Sequence, residues 1–190
     1  TGRTALLFSK SDNNTIINQI AEGRAGYEIE LENSANNLFR DCINLSGFGG
    51  DIDLGWDPGS FNNTFINCSY EEEYIPVSEN WMLAKWYYQA FVNNTEGSFL
   101  SNVNITAYNS LGNVEFTALT NSSGWIPRQE VTDYNATNSG REYYSNYTIF
   151  VNKTGTGNSS KNYNVSLNLN KINDFFTLEE EDVPGENACG

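Results

Sequence analysis

The stretch NNTFINCSY, residues 62–70, echoes two earlier stretches, NNLFRDCINLS at 36–46 and NNTIINQIAEG at 13–23. Each begins with paired Asn and places an apolar residue three positions after the first: Ile16, Phe39 and Phe65. The pairs start at Asn13, Asn36 and Asn62, at intervals of 23 and 26 residues. Upstream of each lies a short alternating segment: LLF ending at Phe8, YEIEL ending at Leu31 and DIDL ending at Leu54. The longer interval has a local cause, the Pro/Gly turn segment GWDPGSF, so the underlying repeat is near 23. A period of that size with two short strands per unit predicts the coils of a parallel β-solenoid. Alternation directs Ile29, Leu31, Ile52 and Leu54 inward and Glu28, Glu30, Asp51 and Asp53 outward. Asn at equivalent corners tolerates turn conformations and can stack in hydrogen-bonded rows. The competing reading, unrelated hairpins with Asn-rich turns, does not account for a register shared by two motifs per repeat.

A fourth coil begins at YIPV, 74–77, and turns at SENW, 78–81; MLAKWYYQAFV, 82–92, then runs on unbroken as one long strand leaving the solenoid. No Gly/Ser linker intervenes, which predicts two rigidly joined modules. Beyond Asn93 the alternation is clean: Val103, Ile105 and Ala107 share a face, as do Tyr147, Ile149 and Val151, and Tyr163, Val165, Leu167 and Leu169. Turn-forming segments separate these runs, which predicts an antiparallel β-sandwich. The expected organisation is all-β: a short parallel β-helix over 1–81, an Ig-like β-sandwich over 82–178 and an acidic tail over 179–190.

Composition narrows the function. The 190 residues hold 10 Lys+Arg against 24 Asp+Glu, a net charge of −14, which argues against nucleic acid or an anionic membrane surface as partner. No apolar run approaches the ~20 residues of a membrane span. His is absent, which removes the usual general base and every Ser-His-Asp or Cys-His arrangement. No zinc, haem or nucleotide motif is present. The chain begins at Thr1 and reads as a processed piece, with any export signal upstream. Twelve Asn-x-Ser/Thr acceptors begin at Asn13, Asn44, Asn62, Asn67, Asn93, Asn104, Asn121, Asn135, Asn146, Asn152, Asn158 and Asn164. Chance in an Asn-rich chain accounts for some of them, but the density points to an exported glycoprotein. Asn104, Asn146, Asn152 and Asn164 fall on the polar phase of their strands.

The segments SDNNTIINQ and FNNTFINCS resemble the rungs of right-handed parallel β-helix proteins of the NosD/pectate-lyase-like group, above all those on archaeal cell surfaces. The resemblance covers about residues 1–80 and implies a fold; the catalytic Asp/Arg/Lys sets of β-helix lyases and hydrolases map onto no residues here. SNVNITAYNSLGNVEFTALTNSSGWIP, 101–127, resembles carboxypeptidase-regulatory-like and related Ig-like modules, with Thr120 to Gly124 matching their Thr-x-x-x-Gly. Such modules imply a spacer or adhesive role.

Cys42 and Cys68 each stand six residues after the first Asn of their pair. Stacked coils would set their Cα atoms about 4.8 Å apart, within reach of an intrachain disulfide; the other reading is two small buried hydrophobes. Cys189 remains over, a candidate for an interchain bond. Asp51, Asp53 and Asp57 have oxygen ligands at a spacing that could hold Ca²⁺, against the reading of a solvated acidic face. No other cofactor is expected. Glu71–Glu73 and Glu179–Asp182 read as solvated charge. Trp56, Trp81, Trp86 and Trp125 could stack on sugars or pack in the interior. No capping pattern covers Thr1–Phe8, so the lower end of the solenoid is expected to pair with another chain or with further rungs. The expectation is a structural, non-enzymatic, glycosylated subunit of an extracellular filament, sheath or surface layer whose partners are copies of itself. The alternative is an adhesin-like module that binds a polysaccharide.

Overall fold

The computed structural model describes residues 4–23, 26–153, 160–165 and 168–179, and within these the side chains of all but 20–23 and 160–165. All regular structure in the described residues is β, with no helix, and so none long and apolar enough to cross a membrane. The chain divides into two compact units, Thr1–Trp86 with Thr132–Tyr144, and Tyr87–Val131 with Ser145–Gly190.

The first unit is a β-solenoid of about three turns. Its first coil holds β1 (Leu6–Ser9), β2 (Thr15–Ile17) and β3 (Ile20–Gly23); the second holds β4 (Tyr27–Glu32), β5 (Leu38–Arg40) and β6 (Ile43–Gly47). The third holds β7 (Gly50–Asp53) and β8 (Asn63–Ile66), and a fourth opens with β9 (Glu73–Tyr74) and the start of β10 (Trp81–Asn94). Successive coils pair in parallel: β1-β4-β7-β9 on one side, β2-β5-β8-β10 on another and β3-β6 on a third.

The paired Asn explain the turns. The first of each pair, Asn13, Asn36 and Asn62, sits at φ 59°, 59° and 55°. Five residues on, Asn18, Asp41 and Asn67 sit at φ 56°, 55° and 52°. Asn and Asp are the L-residues that enter this left-handed region most readily. Two such corners therefore bracket each three- or four-residue strand. The second Asn of each pair works inside the stack. Asn37 Oδ1 accepts from Asn14 N and Nδ2, both at 3.0 Å, while Asn63 Oδ1 accepts from Asn37 N at 3.0 Å and Nδ2 at 3.1 Å. A parallel row runs through Ser: Ser11 N donates to Ser34 Oγ at 3.0 Å, Ser34 N to Ser60 Oγ at 3.3 Å, and Ser60 N to Asn80 Oδ1 at 3.0 Å. Between these rows the interior fills with Ile29, Ile52, Leu31 and Leu54, and with Phe39 stacked on Phe65 at 4.5 Å and 6°.

Two findings depart from the sequence reading. The first two coils have a third strand each, β3 and β6, because the second left-handed corner turns the chain onto a further face. Glu28, Asp51 and Asp53 are buried, not solvated. For Asp51 the cause is plain: Oδ2 accepts the amides of Glu71 at 2.6 Å and Glu72 at 3.2 Å, joining the third coil to the fourth. The long turn before Asn62 closes on Gly59, at φ 122°, where a Cβ would lie 2.3 Å from Asn33 Oδ1.

The chain continues through β11 (Asn104–Tyr108), β12 (Val114–Leu119), β13 (Gln129–Thr137), β14 (Gly140–Tyr143), β15 (Tyr147–Asn152), β16 (Ser160–Val165) and β17 (Lys171–Leu178). The hairpin β13–β14 belongs from Thr132 to Tyr144 to the first unit, where Tyr134 and Ala136 join the solenoid core. The second unit contains a four-stranded antiparallel sheet, order β12-β11-β15-β16, with the expected inward phase: Val103, Ile105, Ala107, Tyr147, Ile149 and Val151 are all buried. Its stretch of β10 pairs with β17 in parallel, which a purely antiparallel sandwich does not include. Three of its turns share one pattern, Asn-x-x-Gly. Asn94, Asn109 and Asn121 each accept two turn amides on Oδ1 and end at Gly97, Gly112 and Gly124, with φ 84°, 80° and 78°. The tail from residue 180 lies outside the described residues.

The row of amides makes a graded expectation. Asn37→Ala removes donors to Asn63 and to the Ser11 carbonyl and leaves buried partners unpaired, costing about 2–4 kcal/mol; Asn14→Ala, at the end of the row, costs about 1 kcal/mol or less. Urea denaturation of the two variants checks this, and equal losses would contradict the stacking role.

Candidate functional site

The first unit gathers its polar and aromatic chemistry where the third and fourth coils meet. An open groove of about 1000 Å³ runs between the turns around Phe48 and Glu71. Beside it lies a smaller hollow of about 400 Å³, lined by Tyr27, Tyr74, Glu73 and Arg141 among others. Three rings form a row along this side: Tyr27 and Tyr74 at 6.2 Å and 15°, then Tyr74 and Trp56 at 5.7 Å and 64°. Trp56 is 72 % exposed. In-register pairing puts Glu30 beside Asp53 and Asp53 beside Tyr74. Burial, then the charges of Asp53, Tyr74 and Glu30, push the Tyr27 phenol up from its ordinary value. Burial raises the Asp53 carboxyl too, helped by Glu30 and Glu32 and opposed by the Gly55 amide, which donates to Oδ1 at 2.8 Å.

Behind the groove lies a connected cluster that sequence reading missed. Tyr70 and Tyr134 share a hydrogen bond between hydroxyls at 2.7 Å. The Arg141 guanidinium lies 4.6 Å over the Tyr134 ring and pairs through two nitrogens with Glu73, also donating to the Glu71 carbonyl. Burial pushes both tyrosines well up, and the bond to Glu73 holds the Arg141 pKa above its usual value. Glu73, expected as solvated charge, is thus an ion-pair partner whose side chain is 8 % exposed. No local signal could have paired residues 68 positions apart.

The remaining expected site residues fall as follows. Among the described residues no three acidic or Cys side chains converge on a metal-sized point. Asp51 is taken up by backbone amides, Asp53 by Gly55, and Asp57 lies in an exposed turn, so the Ca²⁺ trio does not assemble. Cys42 and Cys68 are buried and in stacked positions, but both are free thiols; the expected intrachain bond is absent. Cys68 Sγ instead donates to the carbonyls of Phe39 at 3.7 Å and Ile66 at 3.6 Å. Its hydrogen bond with Cys42, and then burial, raise its pKa, so it is held as the neutral thiol. Cys189 lies outside the described residues.

Among the acceptors, Asn13, Asn44, Asn62, Asn121 and Asn146 are exposed, while Asn67, Asn93, Asn104, Asn135 and Asn152 are half-buried. Asn62 Nδ2 donates to Asn36 and Asn67 Nδ2 to Asp41, each at 2.7 Å, which ties both amides into the corners. Asn158 and the side chain of Asn164 lie outside the described residues. Of the four Trp, Trp56 is exposed, Trp81 is half-buried at the start of β10, Trp86 donates to Asp133 at 3.1 Å, and Trp125 is half-buried among phenylalanines.

No protein family and no curated protein matches the chain. Among solved structures, the Bacillus anthracis TIE protein is similar at TM-score 0.36 and 16% identity, over 52% of this chain and 17% of that one. A likeness this slight bears on neither fold nor function, and the chain spans under a fifth of that protein's length.

Two measurements follow from this geometry. Asp53 has a folded pKa above its unfolded one, so its charge opposes folding above that pKa and ceases to do so below the unfolded value of 3.8. Asp53→Asn keeps the acceptor for Gly55, so it stabilises at pH 7, and the gain vanishes below about pH 3.8; thermal melts across pH 3–7 read this. Cys42 and Cys68 should resist a thiol reagent in the folded protein and react only on unfolding.

Proposed function

We propose that the chain is a structural, non-enzymatic subunit of an extracellular assembly (a filament, sheath or surface layer) held by β-strand contacts between copies and carrying N-glycans. In this reading the first unit is a NosD/pectate-lyase-like solenoid and the second an Ig-like spacer.

One observation carries the reading. In the second and third coils, Asn37 Oδ1, Asn63 Oδ1 and Ser34 Oγ accept amides from the preceding coil. The equivalent atoms of the first coil, Asn14 Oδ1 and Ser11 Oγ, take no donor among the described residues. Around them β1 and β2 each pair on one edge, and Leu6, Phe8 and Ile16 are half-buried where their counterparts Ile29, Leu31 and Phe39 are fully enclosed. An open solenoid edge of this kind favours strand addition, by a second copy in this reading or by further rungs of the same protein.

A second reading has its own support. The Tyr27–Tyr74–Trp56 row, exposed at Tyr74 and Trp56 and lying beside carboxylates, suits stacking on a neutral sugar polymer, as an adhesin-like module would use it.

Sedimentation and electron microscopy separate the two. Under the structural reading the purified chain associates without ligand at micromolar concentration, and Asn14→Arg, which sets a charge at the first coil, disperses it. A chain that stays monomeric at high concentration yet binds on a glycan array, with binding lost in Trp56→Ala, would reject the structural reading for the adhesive one.

A further inference from the structure

The second unit carries an aromatic patch that the described residues leave uncovered. On β10, Phe91 is in register with Phe175 of β17 and bridges to Trp125 on its other side. Ring centroids lie 5.7 Å apart for Phe91–Phe175, 5.2 Å for Phe91–Trp125, 5.6 Å for Phe91–Phe99 and 6.2 Å for Trp125–Phe175. Yet Phe99 is 61 % exposed and Phe175 65 %. A contiguous apolar surface of this kind usually has an occupant.

Two residues along β10 from Phe91, and so on the same face, stands Asn93. It bridges to Phe99 and is in register with Thr177, whose Oγ1 donates to Asn93 Oδ1 at 2.8 Å. That bond occupies the side-chain carbonyl, and among the described residues Nδ2 has no partner. Asn93-Asn94-Thr95 is an acceptor triplet placed where β10 ends. Thr95 is exposed, in the turn that Asn94 caps. Thr95, whose hydroxyl completes the acceptor triplet, thus lies accessible just past the strand end.

We propose that Asn93 carries an N-linked glycan whose first sugar lies on the Phe91, Phe99 and Phe175 rings. This rests on the reading of the chain as an exported glycoprotein. The C–H face of a pyranose is apolar, so laying it on a ring face removes both from water. The sugar is tethered beside the rings, which makes its local concentration high. The attachment is a displacement at C1 of a glycan activated as a lipid phosphate. Nδ2 forms the bond to C1, the C1–O bond to phosphate breaks, the lipid phosphate leaves with the electron pair, and one Nδ2 proton passes to a base of the glycosyltransferase. The second Nδ2 proton stays.

Glycopeptide mass spectrometry of the protein from its native source, followed by enzymatic removal of N-glycans from the folded protein, tests this. The peptide holding Asn93 should be glycosylated. Deglycosylation should lower Tm by about 2–4 °C, as loss of one such contact does in a chain of this size, and shift Trp fluorescence to the red. An Asn93→Asp variant controls for the acid the enzyme leaves behind. In Phe175→Ser, changed at a mostly exposed position, the Tm difference should shrink towards zero. An empty Asn93 in material whose Asn13 or Asn121 is occupied overturns the proposal while the glycoprotein reading stands. Empty acceptors throughout overturn both. A glycosylated Asn93 whose removal leaves Tm and fluorescence unchanged overturns the packing on the rings.

Discussion

The first unit depends on a division of labour within each Asn pair. One Asn enters a backbone region that β-branched and bulky residues avoid, and its neighbour hands a hydrogen bond from coil to coil in the interior. A parallel stack of short strands has few ladder bonds per coil, so the side-chain rows fix register where strands of three residues could slip. The buried Asn are all satisfied along the row, which is the condition under which interior polar groups specify a structure without weakening it. The stacked Phe39 and Phe65 then occupy the space the rows define.

This logic was legible because it repeats. The Asn pairs, the inward Ile29, Leu31, Ile52 and Leu54, and the antiparallel alternation of Val103 to Val151 all express period and phase, which sequence records directly. The third face was hidden because its cue is a single Asn or Asp, at Asn18 and Asp41, with no Gly or Pro to mark the turn. The burial of Asp51 was hidden because its partners are backbone amides of another coil, and amides carry no residue identity. The cluster of Tyr70, Glu73, Tyr134 and Arg141 was illegible for a different reason: its members meet only once the chain has left the solenoid and come back.

The acidity of the chain takes on a different meaning in three dimensions. Much of it is exposed, yet Asp51, Asp53 and Glu73 are drawn into the joint between the third and fourth coils, where amides and one guanidinium receive them. Asp51 there acts as a staple between turns that have shifted from the regular spacing, while Glu73 ties the fourth coil to the β13–β14 hairpin. In-register partners of β7 and β9 are 21 residues apart, against 23 for β4 and β7.

The return of β13–β14 sets an order of events during synthesis. Coils one to three can stack as soon as they leave the ribosome, since their partners are neighbours a turn away. The side of the fourth coil that Tyr134 and Arg141 cover stays bare until some seventy further residues have been made, as the 64 between Tyr70 and Tyr134 and the 68 between Glu73 and Arg141 require. During that interval the nascent solenoid is a growing stack with an unfinished roof, and anything that shelters Tyr70 and Phe65 in the meantime acts as a stand-in for a hairpin not yet born.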